Sequence, residues 1–253
     1  MFFNAHVVGG CIYPFFLSCS LLSIFLSFVV FFKSGLFIFF LYSVFFFLFV
    51  IFLWGKDVYF ESAIGCHNFF VKSGFKMGFV IFVCTEIMFF FCIFWVYLDK
   101  IFFYNFSFMN FPFEMLGGLG LSLLGTFILI ISSLMVTWAH SRAIAGECFF
   151  FQLFFSFLLG CCFLFVQCYE YYHLFFNISD GWLGSIFFFL TGFHGFHVFL
   201  GVVLLFLNLV RLLFFFVNVN NFFFEGSVIY WHFVDVVWLM LFLLVYVSKL
   251  SLW

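Results

Sequence analysis

The chain has 253 residues, of which 68% are hydrophobic and 7% charged, and its formal net charge is -2. That balance excludes a water-soluble globule with a charged shell, and it excludes nucleic acid as a partner. The composition suits a bilayer, whose hydrocarbon core of about 30 Å takes roughly 20 apolar residues per helix.

The amino terminus, MFFNAHVVGGCIYPFF, has no basic region before its apolar run, so it reads as part of the mature chain and not as a removed signal peptide. Apolar runs broken by charges predict seven spans, over 15–32, 36–54, 77–98, 116–138, 148–169, 183–210 and 228–248. After the second span, LWGKDVYFESAIGCHNFFVKSGFKMG is the richest polar stretch. Trp54 sits where an interfacial aromatic belongs, and Lys56, Glu61, His67, Lys72 and Lys76 surround it. Such a set suits a phospholipid head group, and it equally suits lysines that snorkel to the interface.

The third span carries Glu86 in VCTEIMFFFCIFW. A charge at the centre of a span costs about 2.5–3.5 kcal/mol on insertion scales, so this carboxyl must face protein or a polar cavity. Either it carries protons or it hydrogen-bonds a neighbouring helix. The fourth span opens on LGGLGLSLLG, whose small residues permit close helix packing, and closes on His140 in VTWAHSR. In the sixth, His194 and His197 in TGFHGFHV are three apart and share a helix face, and the seventh holds His232 and Asp235 one turn apart. Histidines are common metal ligands, but no cysteine pair joins these and no second pair lies at matched spacing. They read instead as an interhelical polar network of His140, His194, His197, His232 and Asp235, with the aspartate orienting an imidazole. The nine cysteines are scattered and form neither a disulfide framework nor a zinc motif.

With seven spans, the side of the amino terminus carries Lys56, Lys72, Lys76, Arg142 and Arg211, against Lys33, Lys100 and Lys249 on the other. Basic residues near span ends favour the inside, so the amino terminus is expected in the matrix or cytoplasm and the carboxyl terminus outside. The 58 phenylalanines, beside two prolines, reflect T-rich codons of the kind that base drift produces in organelle genomes.

Several segments together resemble one family, subunit III of the haem-copper cytochrome c oxidases. They are WGKDV with ES from Trp54 to Ser62, the Glu86 span ending in IFW, TWAH from Thr137, EYY from Glu170, ISDG from Ile178, TGFHGFHV from Thr191 and YWHFVDVVW from Tyr230. The resemblance covers nearly the whole chain in family order. It implies an all-α membrane protein of seven transmembrane helices, the first two splayed from a five-helix bundle in a V. The corresponding division is 1–60, an inner-side connection over 61–76, and the bundle over 77–253.

It further implies a non-redox, lipid-binding accessory subunit of a proton-pumping oxidase in the mitochondrial inner membrane. Such a chain holds no metal, haem or catalytic residue of its own. Haem a and copper belong to partner subunits, subunit I being the main contact, with subunit II and supernumerary subunits in the same complex. Phospholipid head groups are implied at Trp54, Lys56, Glu61, His67, Gly78 and Arg211, and Glu86 as a buried, carbodiimide-reactive carboxyl of a lipid cleft. The connection between the third and fourth spans departs from the family, keeping only NFPFE of a proline-rich segment; Cys66 stands where a histidine is usual, beside a one-residue deletion near Gly65. Quinol oxidase subunits III usually lack the first two spans, so both spans and WGKDV favour the cytochrome c branch.

Overall fold

The computed structural model of the chain describes residues 10–65, 69–103, 119–214 and 222–247. A bilayer core offers backbone groups no water to bond, so every span must close its hydrogen bonds internally. The described residues do this as seven helices: α1 Tyr13–Ser34, α2 Ile38–Ile64, α3 Phe69–Phe103, α4 Leu119–Ile144, α5 Phe150–His173, α6 Gly181–Phe214 and α7 Phe222–Leu241. Each contains a stretch long and apolar enough to cross a membrane, so the expected all-α architecture is the observed one. Beyond α7 the chain continues as a π-helix over Phe242–Val247.

Six of the helices are longer than the apolar stretches that predicted them, while α7 begins six residues before the expected 228–248 and ends at Leu241. At about 1.5 Å per residue, the 35 residues of α3 make a rod of roughly 50 Å, well over the hydrocarbon thickness. Hydropathy reports the thickness of the bilayer, whereas the helix goes on through residues whose polar ends lie in the interface. Much of the stretch 61–76 is therefore helical, as the end of α2 and the start of α3. Cys66, His67 and the connection between the third and fourth spans, NFPFE included, lie outside the described residues.

By packing, the chain forms two compact units, Met1–Phe75 and Lys76–Trp253. In the first, α1 opens with a proline in its first turn and ends on Gly35 at φ 72°, whose N–H donates to the Phe31 carbonyl at 2.8 Å. Only glycine takes that left-handed turn without penalty, and it allows α2 to fold back along α1. Their seam is polar at one point, where the hydroxyls of Ser27 and Ser43 meet at 2.8 Å.

In the second unit, α4, α5, α6 and α7 close a ring, each packed on the next and α7 on α4. The seventh span is 56% buried, against 11% for each of the first two, and α7 is the most buried helix of the seven. Its anchor is Trp231, 1% exposed. A side chain at Gly160 of α5 would come within 2.6 Å of the indole, and one at Gly201 of α6 within 2.9 Å. The two glycines thus form the slot for the ring, and its Nε1–H donates to the Ser132 hydroxyl of α4 at 3.1 Å. Among the small residues that open α4, Gly125 lies against the rings of Phe163 and Trp238, while Gly120 faces open space. Large rings separate α3 from its neighbours: Phe90 packs on Phe193 of α6 and Phe233 of α7 with centroids 5.0 and 6.0 Å away.

Candidate functional site

Glu86 lies near the middle of α3 and His197 near the middle of α6, and the packing of Phe90 on Phe193 and His197 brings the two levels together. Glu86 Oε2 is 3.0 Å from His197 Nε2, with the imidazole side chain 6% exposed and the carboxyl 22%. On the other side of the ring, Nδ1 is 2.8 Å from the Phe193 carbonyl. A carbonyl only accepts, so Nδ1 carries a hydrogen and donates it. One further proton must then lie between Nε2 and the carboxyl. Whether it sits on oxygen or on nitrogen, the pair is neutral as a whole, which is what a span interior requires.

His194, one turn earlier on α6, looks elsewhere. Its Nε2 donates to the Val234 carbonyl of α7 at 3.2 Å, and its ring lies 5.0 Å from that of Trp238. Asp235 is beside Ser133 of α4 and His232 of its own helix. His140, at the end of α4, has its ring 6.1 Å from Phe224. The histidines read together in the sequence are thus placed in separate settings: His197 toward α3, His194 toward the α7 backbone, and His232 with Asp235 at the α4–α7 seam. Sharing a face did not give His194 and His197 one polar partner: the α7 backbone takes His194, and Glu86 of α3 takes His197, whose ring also lies beside Tyr230 and Phe233 of α7.

Among the charged residues read for lipid head groups, Lys76 forms an ion pair with Glu225 at 2.6 Å. The Arg211 guanidinium lies over the Phe223 ring at 5.1 Å, and the Lys56 ammonium over Phe60 at 5.9 Å. Trp54, Lys56 and Glu61 are on the later turns of α2, in the first unit; Gly78 on α3 and Arg211 on α6 are in the second. His67 lies outside the described residues. A groove of about 530 Å³ between the end of α4 and the start of α7 is lined by His140, Ile144, Phe224, Glu225, Val228 and Ile229.

Other polar contacts had no sequence signal. Glu170 is 4% exposed, and its carboxyl accepts from the Tyr246 hydroxyl at 2.8 Å and from Gln167 Nε2 at 3.4 Å. In the sequence it is a glutamate at a span end, which reads as interfacial; only the π-helical turn of Phe242–Val247 puts Tyr246 over it. Likewise Tyr171 donates to Thr191 at 2.6 Å, and Asn208 donates to Ser227 at 2.8 Å across α6 and α7. No three His, Cys, Asp or Glu side chains among the described residues converge as metal ligands.

Seven long apolar helices, with polar groups turned inward and paired across helix seams, define a multi-pass α-helical membrane protein. The family profile described as "Cytochrome c oxidase subunit III" matches residues 3–249. "Cytochrome c oxidase subunit 3" of Rhipicephalus sanguineus is 36% identical over 97% of this chain and 99% of its own length. The proteins of that name from Pylaiella littoralis and Ovis aries are each 38% identical, over 79% and 76% of this chain and 76% and 77% of their own lengths. The chain belongs to the cytochrome c oxidase subunit III family, and so is a multi-pass membrane subunit of that oxidase complex.

Proposed function

We propose that the chain is a non-redox accessory subunit that binds phospholipid, steadies the catalytic subunit I and supports proton uptake during oxygen reduction and pumping. Family membership over residues 3–249 carries this reading. Its place is the mitochondrial inner membrane, with the amino terminus in the matrix and the carboxyl terminus in the intermembrane space. Subunit I is its main contact, and haem a and copper reside in partner subunits. Phospholipid head groups meet the inner-side residues Trp54, Lys56, Glu61 and His67, and also Gly78 and Arg211. An indole at the interface and cations carried on helix ends are the chemistry that holds an anionic or zwitterionic head group.

Glu86 supports the same reading. A carboxyl tied to His197 at 3.0 Å, with one proton between them, joins α3 to α6 without adding net charge to the membrane interior. It is a structural partner in this account, and the redox centres and main proton routes lie in other subunits. The deciding experiment is proton ejection per electron from reconstituted oxidase carrying Glu86→Gln. The amide can still donate to Nε2, so oxygen reduction and most of the pumping should persist. Complete loss of pumping in a fully assembled complex would overturn the structural assignment. Lipid extraction from the Arg211→Ala complex tests the head-group assignment, which predicts less bound phospholipid than in the parent.

A further inference from the structure

The end of α4 and the start of α7 leave a groove of about 530 Å³ between them. Most of its lining is apolar: Phe224 and Val228 are its buried part, and Ile144 and Ile229 its exposed part. Two lining residues are polar. Glu225 stands in the first turn of α7, and His140 one turn before the end of α4. Glu225 also carries the ion pair with Lys76 of α3, the two side chains being 32% and 54% exposed. An otherwise apolar groove thus has charges of both signs and an imidazole toward one end.

The ends of spans are where acyl chains give way to head groups. Val228 and Ile229 follow Glu225 by one turn into the span, so an acyl chain lying on them brings its head group to Glu225. The ion pair narrows the choice of head group. Lys76 meets Glu225 through Oε2, and a carboxylate has further lone pairs with which to accept. A head group with a phosphate and a primary ammonium matches the pair sign for sign, ammonium on Glu225 and phosphate on Lys76. Imidazole offers an N–H in either protonation state, which suits an ester oxygen of the glycerol. A choline head has no N–H to donate, and an anionic glycerol head sets like charge against Glu225.

We propose that this groove binds one zwitterionic phospholipid with a primary amine head, its acyl chain against Phe224, Val228 and Ile229. The site rests on the phospholipid-binding reading above and adds to it a second place, which uses none of the residues assigned there. Its ligand ties together the ends of three helices, through Lys76 on α3, His140 on α4 and Glu225 on α7.

The test counts the lipids that the whole oxidase keeps after exchange into vesicles of phosphatidylethanolamine, phosphatidylcholine and phosphatidylglycerol, by mass spectrometry of the purified complex. The parent should keep one phosphatidylethanolamine that is lost from Ile229→Trp, whose larger ring fills the groove, and from Glu225→Gln, which removes the charge that holds the ammonium. Arg211→Ala should keep this molecule whatever it loses elsewhere, so failure of the earlier head-group assignment and failure of this site read differently. Equal phosphatidylethanolamine in the parent, Ile229→Trp and Glu225→Gln overturns the proposal. Loss of phosphatidylcholine or phosphatidylglycerol in its place overturns the amine assignment. So does a density map of the parent in which a helix of another subunit fills the groove. Should Glu225→Gln fail to assemble, Ile229→Trp, at a position 45% exposed, and the parent map still decide.

Discussion

Glu86 and His197 are 111 residues apart in sequence and share a single proton near the middles of α3 and α6. Removing one partner leaves the other buried and unpaired, which costs about 1–3 kcal/mol and more for a charged group. His197→Leu should therefore loosen the complex more than Glu86→Gln, which keeps a donor for Nε2. Replacing both residues by leucine should do less harm than the two single losses added together, because the second loss then removes a group already without its partner. Retention of the subunit through detergent purification, followed across a temperature series, compares the parent, Glu86→Gln, the single variants His197→Leu and Glu86→Leu, and the double leucine variant. Strict additivity would mean that the two side chains do not act as a pair. By contrast, Lys76 and Glu225 are 54% and 32% exposed, and Lys76→Ala should cost no more than about 1 kcal/mol.

Between helices, the decisive contacts are places where a missing side chain makes room for a large one. Trp231 fits because α5 and α6 each present a glycine to it, and its N–H reaches a serine on α4. A methyl group at Gly160 would lie 2.6 Å from the indole and 2.8 Å from Val202, both rigid, and overpacking of this kind typically costs about 1–3 kcal/mol. Gly160→Ala is expected to lower the temperature at which the subunit leaves the complex. Trp231→Phe, added to it, should recover part of the loss by shortening the ring. If the double variant were worse than either single one, the slot would not be the cause. Gly195 has nothing near its Cβ position, and Gly195→Ala serves as the control, with little effect expected.

For the molecule as a whole, the testable quantity is its orientation. Cys11 precedes α1, and Cys148 lies between α4 and α5; both are exposed in the chain. Seven crossings with the amino terminus in the matrix put both on the matrix side. A membrane-impermeant thiol reagent should label single-cysteine variants retaining Cys11 or Cys148 in inside-out membranes and leave them unlabelled in right-side-out ones. Labelling of either from the intermembrane side would reverse the orientation proposed here. Two cysteines separated by four helices give the same answer only if an even number of the intervening helices cross, as four crossings require.

The number and order of the spans were legible in the sequence because the bilayer imposes one requirement, about 20 apolar residues with their backbone bonds closed, that a linear reading can detect. The same cost argument picked out Glu86, His194, His197, His232 and Asp235 as residues that need a polar setting. It could not say which setting. Which histidine meets Glu86 depends on how α3 and α7 flank α6, and that depends on phenylalanine rings and glycine gaps packing in three dimensions. Glu170 and Tyr246 were missed for the same reason, since a π-helical turn changes the direction in which a side chain points and leaves no mark in hydropathy. Solvent chemistry acts on each segment by itself and is written along the chain, whereas partner choice is a relation between segments, which only the folded packing decides.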